Sequence, residues 1–94
     1  MIQTVDIYVG SCHLQLSLPA FFEQSTLTSC RKVFKLLTRE PYRNEEAHEK
    51  LTWFFTDWYA ELSALAKRGY RKRELEKAGK LILEYEKTVK PIFN

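Results

Sequence analysis

Glycine, proline and cysteine are scarce in this 94-residue chain, with three, three and two copies respectively. So few glycines and prolines leave little room for long loops, and two cysteines are too few for a disulfide framework. No apolar run approaches the roughly 18 residues that a membrane-spanning helix needs. The first residues also lack the basic start and the long apolar stretch of an export signal. These absences predict a cytoplasmic protein without a membrane partner, in which Cys12 and Cys30 are reduced and buried.

Enough hydrophobic material is present to form one core. Hydrophobic residues make up 45% of the chain and aromatic residues 14%, while 29% of the residues are charged. This composition excludes an intrinsically disordered tail. A chain of this length fits one domain, so we expect residues 1–94 to fold as a single compact unit.

An alternation of apolar and polar residues over residues 2–18 predicts a β-hairpin. Gly10 and Ser11 separate its two halves, and glycine at the first turn position suits a two-residue type II′ turn. This turn pairs Val9 with Cys12 and sets apolar residues opposite apolar residues along one face. A slip of one residue would exchange the two faces, so the pattern predicts the register as well.

Three amphipathic helices are predicted after the hairpin, at about 26–40, 45–67 and 71–89. Pro41 disfavours a helical residue before it, and Asn44 is a good N-cap for the second helix. The short link between the last two helices should make them antiparallel neighbours. The predicted fold is therefore α+β, with a two-stranded antiparallel hairpin packed on three α-helices in the order β-β-α-α-α.

Motifs for catalysis and cofactor binding are missing. The chain has no glycine-rich phosphate loop, no dinucleotide fingerprint and no Cys-x-x-Cys or His-x-x-x-His pair. His13 and Asp6 share a face of the predicted hairpin, but no serine or cysteine nucleophile is placed beside them. His48 lies between Glu45 and Glu49, as in a solvated first helical turn. We therefore expect no enzyme, no cofactor and no metal site.

Positive charge is concentrated where the second predicted helix turns into the third. Basic residues stabilise a helix C-terminus, but near an N-terminus they cost about 0.3–1 kcal/mol each at low salt. Basic residues at the start of a helix do not help its stability, but they would suit a tip that binds phosphate or carboxylate groups. A solvated loop that only aids solubility is the competing interpretation. The residues assigned to partner contact are Lys67, Arg68, Tyr70, Arg71, Lys72 and Arg73, with Trp53 as an apolar anchor.

Trp53 lies about 200° around the second predicted helix from Leu51, the centre of the apolar face. Ala60 and Ala64 share the side of Trp53. One interpretation is that this helix is central and a neighbouring helix covers Trp53. The other is that Trp53 is exposed as an anchor for a partner or a second copy. A homodimer through the second or third helix is therefore an alternative.

The leading hypothesis is a small non-catalytic protein that docks on a larger protein or ribonucleoprotein complex and occupies part of its surface. An adaptor, an assembly subunit or an inhibitor of the kind that mobile genetic elements encode would fit. The alternative is direct nucleic-acid binding, in which further basic residues join the tip. Those residues are Arg31, Lys35, Arg39, Lys77 and Lys80. Five acids against one lysine in residues 44–66 argue against a protein that wraps nucleic acid.

Overall fold

The structure, a computed structural model, describes residues 3–18 and 24–93. Its main elements are strands β1 (Gln3–Val9) and β2 (Cys12–Leu18) and helices α1 (Gln24–Leu37), α2 (Glu45–Lys67), α3 (Lys72–Thr88) and α4 (Lys90–Phe93). The predicted α+β class and the order β-β-α-α-α are confirmed, and α4 adds one short helical turn. Residue 2, which the predicted hairpin includes, lies outside the described residues.

The hairpin has the predicted antiparallel register, from Val9 opposite Cys12 to Gln3 opposite Leu18. Gly10 has φ +58° whereas φ of Ser11 is not positive, which is the combination that a type II′ turn requires. One face of the hairpin is buried as predicted. Its buried residues are Val5, Ile7, Val9, Leu14 and Leu16.

The three long helices meet at a cluster of aromatic rings. Phe34 from α1 lies edge to face with Phe55 from α2, with ring centroids 6.0 Å apart. Tyr85 from α3 contacts both rings, with centroid distances of 5.0 Å to Phe34 and 5.5 Å to Phe55. We call these three residues the aromatic triad. Each edge-to-face pair contributes about 0.5–1.5 kcal/mol beyond the area that it buries.

The hairpin packs on α1 and α2, while α3 packs along another side of α2. α2 is thus the central helix, and its 23 residues span about 35 Å. The overall dimensions of 43 × 25 × 21 Å reflect this length. One end of α2 lies beside the hairpin turn, and the other end carries the connection to α3.

Helix α1 begins at Gln24, two residues earlier than predicted, and ends at Leu37 rather than near residue 40. The amide of Arg39 donates to the carbonyl three residues back at 3.0 Å, which tightens the last turn. Pro41 then lies in a separate 3-10 turn, Glu40–Tyr42. The predicted end is therefore wrong by about one turn, because the helix tightens before it reaches the proline.

The bounds of α2 agree with the prediction, and those of α3 differ from it by one residue at each end. The side chain of Asn44 accepts a hydrogen bond from the amide of Ala47 at 3.1 Å and caps α2. Gly69, with φ +90°, ends α2. Helix α3 then begins after Arg71, which takes a left-handed backbone conformation with φ 54°.

The two turn glycines make a matched test of the hairpin packing. A Cβ on Gly10 would lie 2.9 Å from Cε1 of Tyr42, whereas a Cβ on Gly69 would meet nothing within 4 Å. Alanine at either position is strained by its positive φ, at about 1–2 kcal/mol. We expect Gly10→Ala to cost more than Gly69→Ala, since the Tyr42 ring must also move. Urea unfolding monitored by tryptophan fluorescence measures both losses, and equal losses would contradict the Tyr42 contact.

Candidate functional site: a basic tip between two helices

A Schellman motif builds the turn between α2 and α3. The amide of Tyr70 donates to the carbonyl of Leu65, and the amide of Gly69 donates to that of Ala66, both at 3.0 Å. These bonds satisfy the last carbonyls of α2, and the chain changes direction within this turn. The first helical bond of α3 follows, from the amide of Leu75 to the carbonyl of Arg71 at 3.1 Å. The C-terminus of α2 and the N-terminus of α3 therefore lie side by side.

The six residues assigned to partner contact at this turn form the basic tip. They are Lys67, Arg68, Tyr70, Arg71, Lys72 and Arg73. All of them except Arg71 are exposed, and Tyr70 has 64% of its surface in solvent. The structure thus brings together every predicted contact residue except Trp53.

The positive charge of the tip is poorly neutralised. Among the described residues, no carboxylate lies within 4.0 Å of the charged groups of Lys67, Arg68, Lys72 and Arg73. Glu74 follows directly in the first turn of α3, but its Oε2 is buried and has no hydrogen-bond partner among the same residues. The four exposed cations and the free amides at the start of α3 therefore combine into one anion-attracting surface.

Arg71 differs from the other bases of the tip. Its left-handed backbone costs about 1–2 kcal/mol relative to glycine, and its Nη1 atom is buried. Because part of its guanidinium group is buried, the Arg71 side chain belongs to the structure of the turn. The groups available to a partner are consequently those of Lys67, Arg68, Lys72 and Arg73, together with the ring of Tyr70.

The tip is the end of a two-helix projection. From residue 63 to residue 77 no side chain is fully buried, whereas Leu62 and Ala78 on either side of this stretch belong to the core. The last part of α2 and the first part of α3 therefore extend beyond the core and contact mainly each other. We call this stretch, residues 63–77, the helical arm.

Trp53 is exposed, with 44% of its surface in solvent. Ala60 and Ala64 on the same side of α2 are exposed as well. The interpretation that a neighbouring helix covers Trp53 is wrong, although α2 is indeed central, because β1 and α3 pack on other sides of it. Trp53 lies about 21 Å along α2 from Lys67, so it is separate from the basic tip.

Three basic residues of the nucleic-acid alternative, Arg31, Lys35 and Arg39, do not join the tip, whereas Lys77 follows Arg73 by one turn of α3. Arg31 on α1 is paired with Glu84 on α3, with 3.2 Å between Nε and Oε2. Arg39 lines a groove with Ser11 beside the hairpin turn, at the other end of α2 from the tip. Lys35 lies between them on α1, and the exposed Lys77 and Lys80 lie on α3. The five residues are thus spread along the molecule.

The structure reveals a cluster around His48 that the sequence analysis missed. The His48 ring stacks on Phe93 at 4.5 Å and on Tyr85 at 5.7 Å, and its Nδ1 is hydrogen-bonded to the Tyr85 hydroxyl. Desolvation lowers the pKa of His48, Lys90 lowers it further, and Glu49 and Glu45 act in the opposite direction. Burial also raises the pKa of Tyr85 to about 12. His48 is therefore half-buried and packs against α4, whereas its neighbours Glu45 and Glu49 are exposed, as expected for a solvated first turn.

The second histidine forms the pair that its position in the hairpin predicts. His13 Nε2 lies 2.9 Å from Oδ1 of Asp6, and Gln15 donates to the same oxygen at 3.1 Å. The hydrogen bond to His13 is the main cause that lowers the pKa of Asp6. Tyr8 stacks on His13 with ring centroids 4.4 Å apart. This exposed face therefore presents an aromatic and polar surface.

Neither metal-binding clusters nor membrane spans are found in the part of the chain that the structure describes. Within residues 3–18 and 24–93, no three His, Cys, Asp or Glu side chains converge as a metal site would require. In the same ranges, no helix has the length and apolar character needed to cross a membrane. No protein-family profile, curated protein or solved structure matches this chain.

The pH dependence of stability tests the His48 cluster. Because folding lowers the pKa of His48 below its usual value of 6.5, the unfolded chain binds protons more readily. The contribution of His48 is fully present above pH 6.5 and is lost as the pH falls through the lower pKa of the folded state. We expect this loss in the wild type and in His13→Gln, but not in His48→Gln, when urea unfolding is measured between pH 7 and 5. An unchanged profile in His48→Gln would contradict the assignment.

The two thiols should differ in reactivity. Both cysteines are free, but only Cys30 is fully buried, so the expectation of two buried thiols is wrong for the half-buried Cys12. Burial raises the pKa of Cys30 to about 12, which leaves almost no thiolate at neutral pH. We expect iodoacetamide to modify Cys12 in the folded protein and Cys30 only after unfolding. Mass spectrometry measures both rates, and equal rates in the folded protein would contradict this burial.

Proposed function

We propose that this protein is a small non-catalytic binding protein that docks through its basic tip on an acidic surface of a larger protein or nucleoprotein assembly. It acts by occupying that surface. An adaptor, an assembly subunit and an inhibitor of the kind that mobile genetic elements encode would all act in this way. The place of action that we propose is the cytoplasm.

The observation that carries this proposal is a group of four exposed cations around one exposed tyrosine, with no carboxylate within 4.0 Å of these cations in the described part of the chain. Arginine binds carboxylates with two parallel hydrogen bonds, and tyrosine and arginine are enriched among residues that dominate binding energy. The Schellman motif also fixes the conformation of the turn backbone in the unbound protein. Less conformational entropy is then lost on binding.

Direct nucleic-acid binding is the alternative, since the same cations attract phosphates. The arrangement of the other bases weighs against it, because Arg39 lies at the opposite end of α2 and Arg31 is paired with Glu84. A contact restricted to the tip would neutralise few phosphates. Each phosphate neutralised on duplex DNA contributes about 0.9 to the slope of log K against log salt, so such binding would have a shallow salt dependence.

The test compares two double charge reversals that change the net charge equally. Arg68→Glu with Arg73→Glu alters the tip, whereas Lys77→Glu with Lys80→Glu alters exposed lysines farther along α3. We expect both variants to unfold within about 0.5 kcal/mol of the wild type, since all four residues are at the surface. Crosslinked capture from host extract, quantified by mass spectrometry, should recover the same partner with the wild type and with the Lys77/Lys80 variant. The Arg68/Arg73 variant should lose that partner.

Two outcomes would contradict the proposal. Equal recovery with all three proteins would exclude the tip as the docking surface. Binding of random duplex DNA or single-stranded RNA in fluorescence anisotropy that weakens as salt rises from 50 to 150 mM would favour the nucleic-acid alternative, and the slope would give the number of phosphates neutralised.

A further inference from the structure

The outer edge of β1 is capped by side chains of α2 and of its N-cap residue. Asn44 Nδ2 donates to the main-chain carbonyl of Tyr8, and Lys50 Nζ donates to that of Asp6, both at 3.1 Å. These two carbonyls point away from β2, so neither has a partner within the hairpin. This edge of the hairpin is thereby protected from pairing with another strand.

At the outer edge of β2, no side chain within residues 3–18 and 24–93 bonds to the main chain in this way. In the observed register, the main-chain groups of His13, Gln15 and Ser17 point away from β1. None of these groups bonds to any other residue within 3–18 and 24–93. The strand also contains no proline and no charged carboxylate, lysine or arginine, which are the usual devices that protect an edge. An extended chain therefore meets a row of unused donors and acceptors here.

A basic groove, which we call the edge groove, lies beside the start of this edge. The groove has a volume of about 350 Å³ and runs between the hairpin turn and α1. Lys32, Lys35 and Arg39 line it, together with the half-buried Cys12 and Leu36. No carboxylate contributes to the lining, and none lies within 4.0 Å of the three cations among the described residues.

The spacing of these side chains fits an added strand. Lys32 lies about 6 Å from Leu36 along α1, and Arg39 follows two residues after that helix ends. Alternate residues of a β-strand are separated by about 6.6 Å on one face. A strand paired with β2 would therefore present an apolar side chain toward Leu36 and acidic side chains on either side of it.

We propose that the open edge of β2 accepts an extended acidic segment of a partner protein as a third strand. The segment bonds to the main chain of His13, Gln15 and Ser17, and its carboxylates lie against Lys32 and Arg39. A second copy of β2 is a poor occupant, because that strand carries no carboxylate to neutralise the groove. The edge groove lies at the other end of α2 from the basic tip, so this inference goes beyond the proposed function and does not depend on it.

The experiment uses a fluorescein-labelled peptide with the sequence Thr-Glu-Thr-Leu-Thr-Glu-Thr and measures its anisotropy on titration with the full chain. Gln15→Pro removes an outward amide without removing a main-chain hydrogen bond of the hairpin, so it should weaken binding at least about tenfold. Gln15→Ala also loses the side-chain contact with Asp6 but keeps the amide, and it should bind like the wild type. Hydrogen exchange at His13, Gln15 and Ser17 should slow when the peptide binds, which tests the pairing without any substitution.

A second set of variants tests the contacts between the peptide carboxylates and the cations of the groove. Lys32→Glu with Arg39→Glu should weaken peptide binding about tenfold or more, and a peptide with lysine in place of glutamate should not bind. The Arg68→Glu, Arg73→Glu variant should bind the peptide like the wild type, so failure at the tip and failure at the edge are distinguishable. No binding at about 1 mM protein, or equal binding by Gln15→Pro, would overturn the proposal. A concentration-dependent dimer that Gln15→Pro abolishes would also overturn it and would assign the edge to a second copy.

Discussion

The arrangement of the helices depends on the aromatic triad of Phe34, Phe55 and Tyr85. α3 has only three fully buried residues, and Tyr85 is the largest of them. Its ring contacts rings from both other long helices, with centroids 5.0 and 5.5 Å away. Those two contacts hold α3 against α1 and α2 at once. Because the basic tip forms where α2 meets α3, the position of the tip follows from this one set of contacts.

The length of α2 separates the two proposed binding surfaces. The edge groove lies beside the N-terminus of α2, and the basic tip lies about 35 Å away at its C-terminus. Both surfaces are positive, and the acids of α2 lie between them. A single partner that used both would need two acidic regions at a matching distance, and the linked contacts would then reinforce each other through effective concentration. Otherwise each surface serves a different partner.

Local patterns in the sequence predict the hairpin register, the cap at Asn44 and the turn at Gly69, because each depends on neighbouring residues. The basic tip is found in the same way, since its residues are adjacent in the chain. The packing of His48 against Tyr85 and Phe93 escapes such reasoning because these residues lie 37 and 45 positions later. The exposure of Trp53 depends on which side of α2 receives α3. Several patterns of burial are compatible with one helical period, and only the packing of all elements decides among them.

The helical arm has a consequence for how the molecule opens. With no fully buried side chain from residue 63 to residue 77, its separation exposes little apolar surface, so it opens at a lower free energy than the core. Trypsin cleaves after lysine and arginine, and five such residues lie in its turn. Limited proteolysis therefore begins at the tip while the hairpin and the aromatic triad are still folded. A partner bound at the tip would shield the helical arm from the protease. The cleavage rate would therefore report the fraction of the protein that is bound.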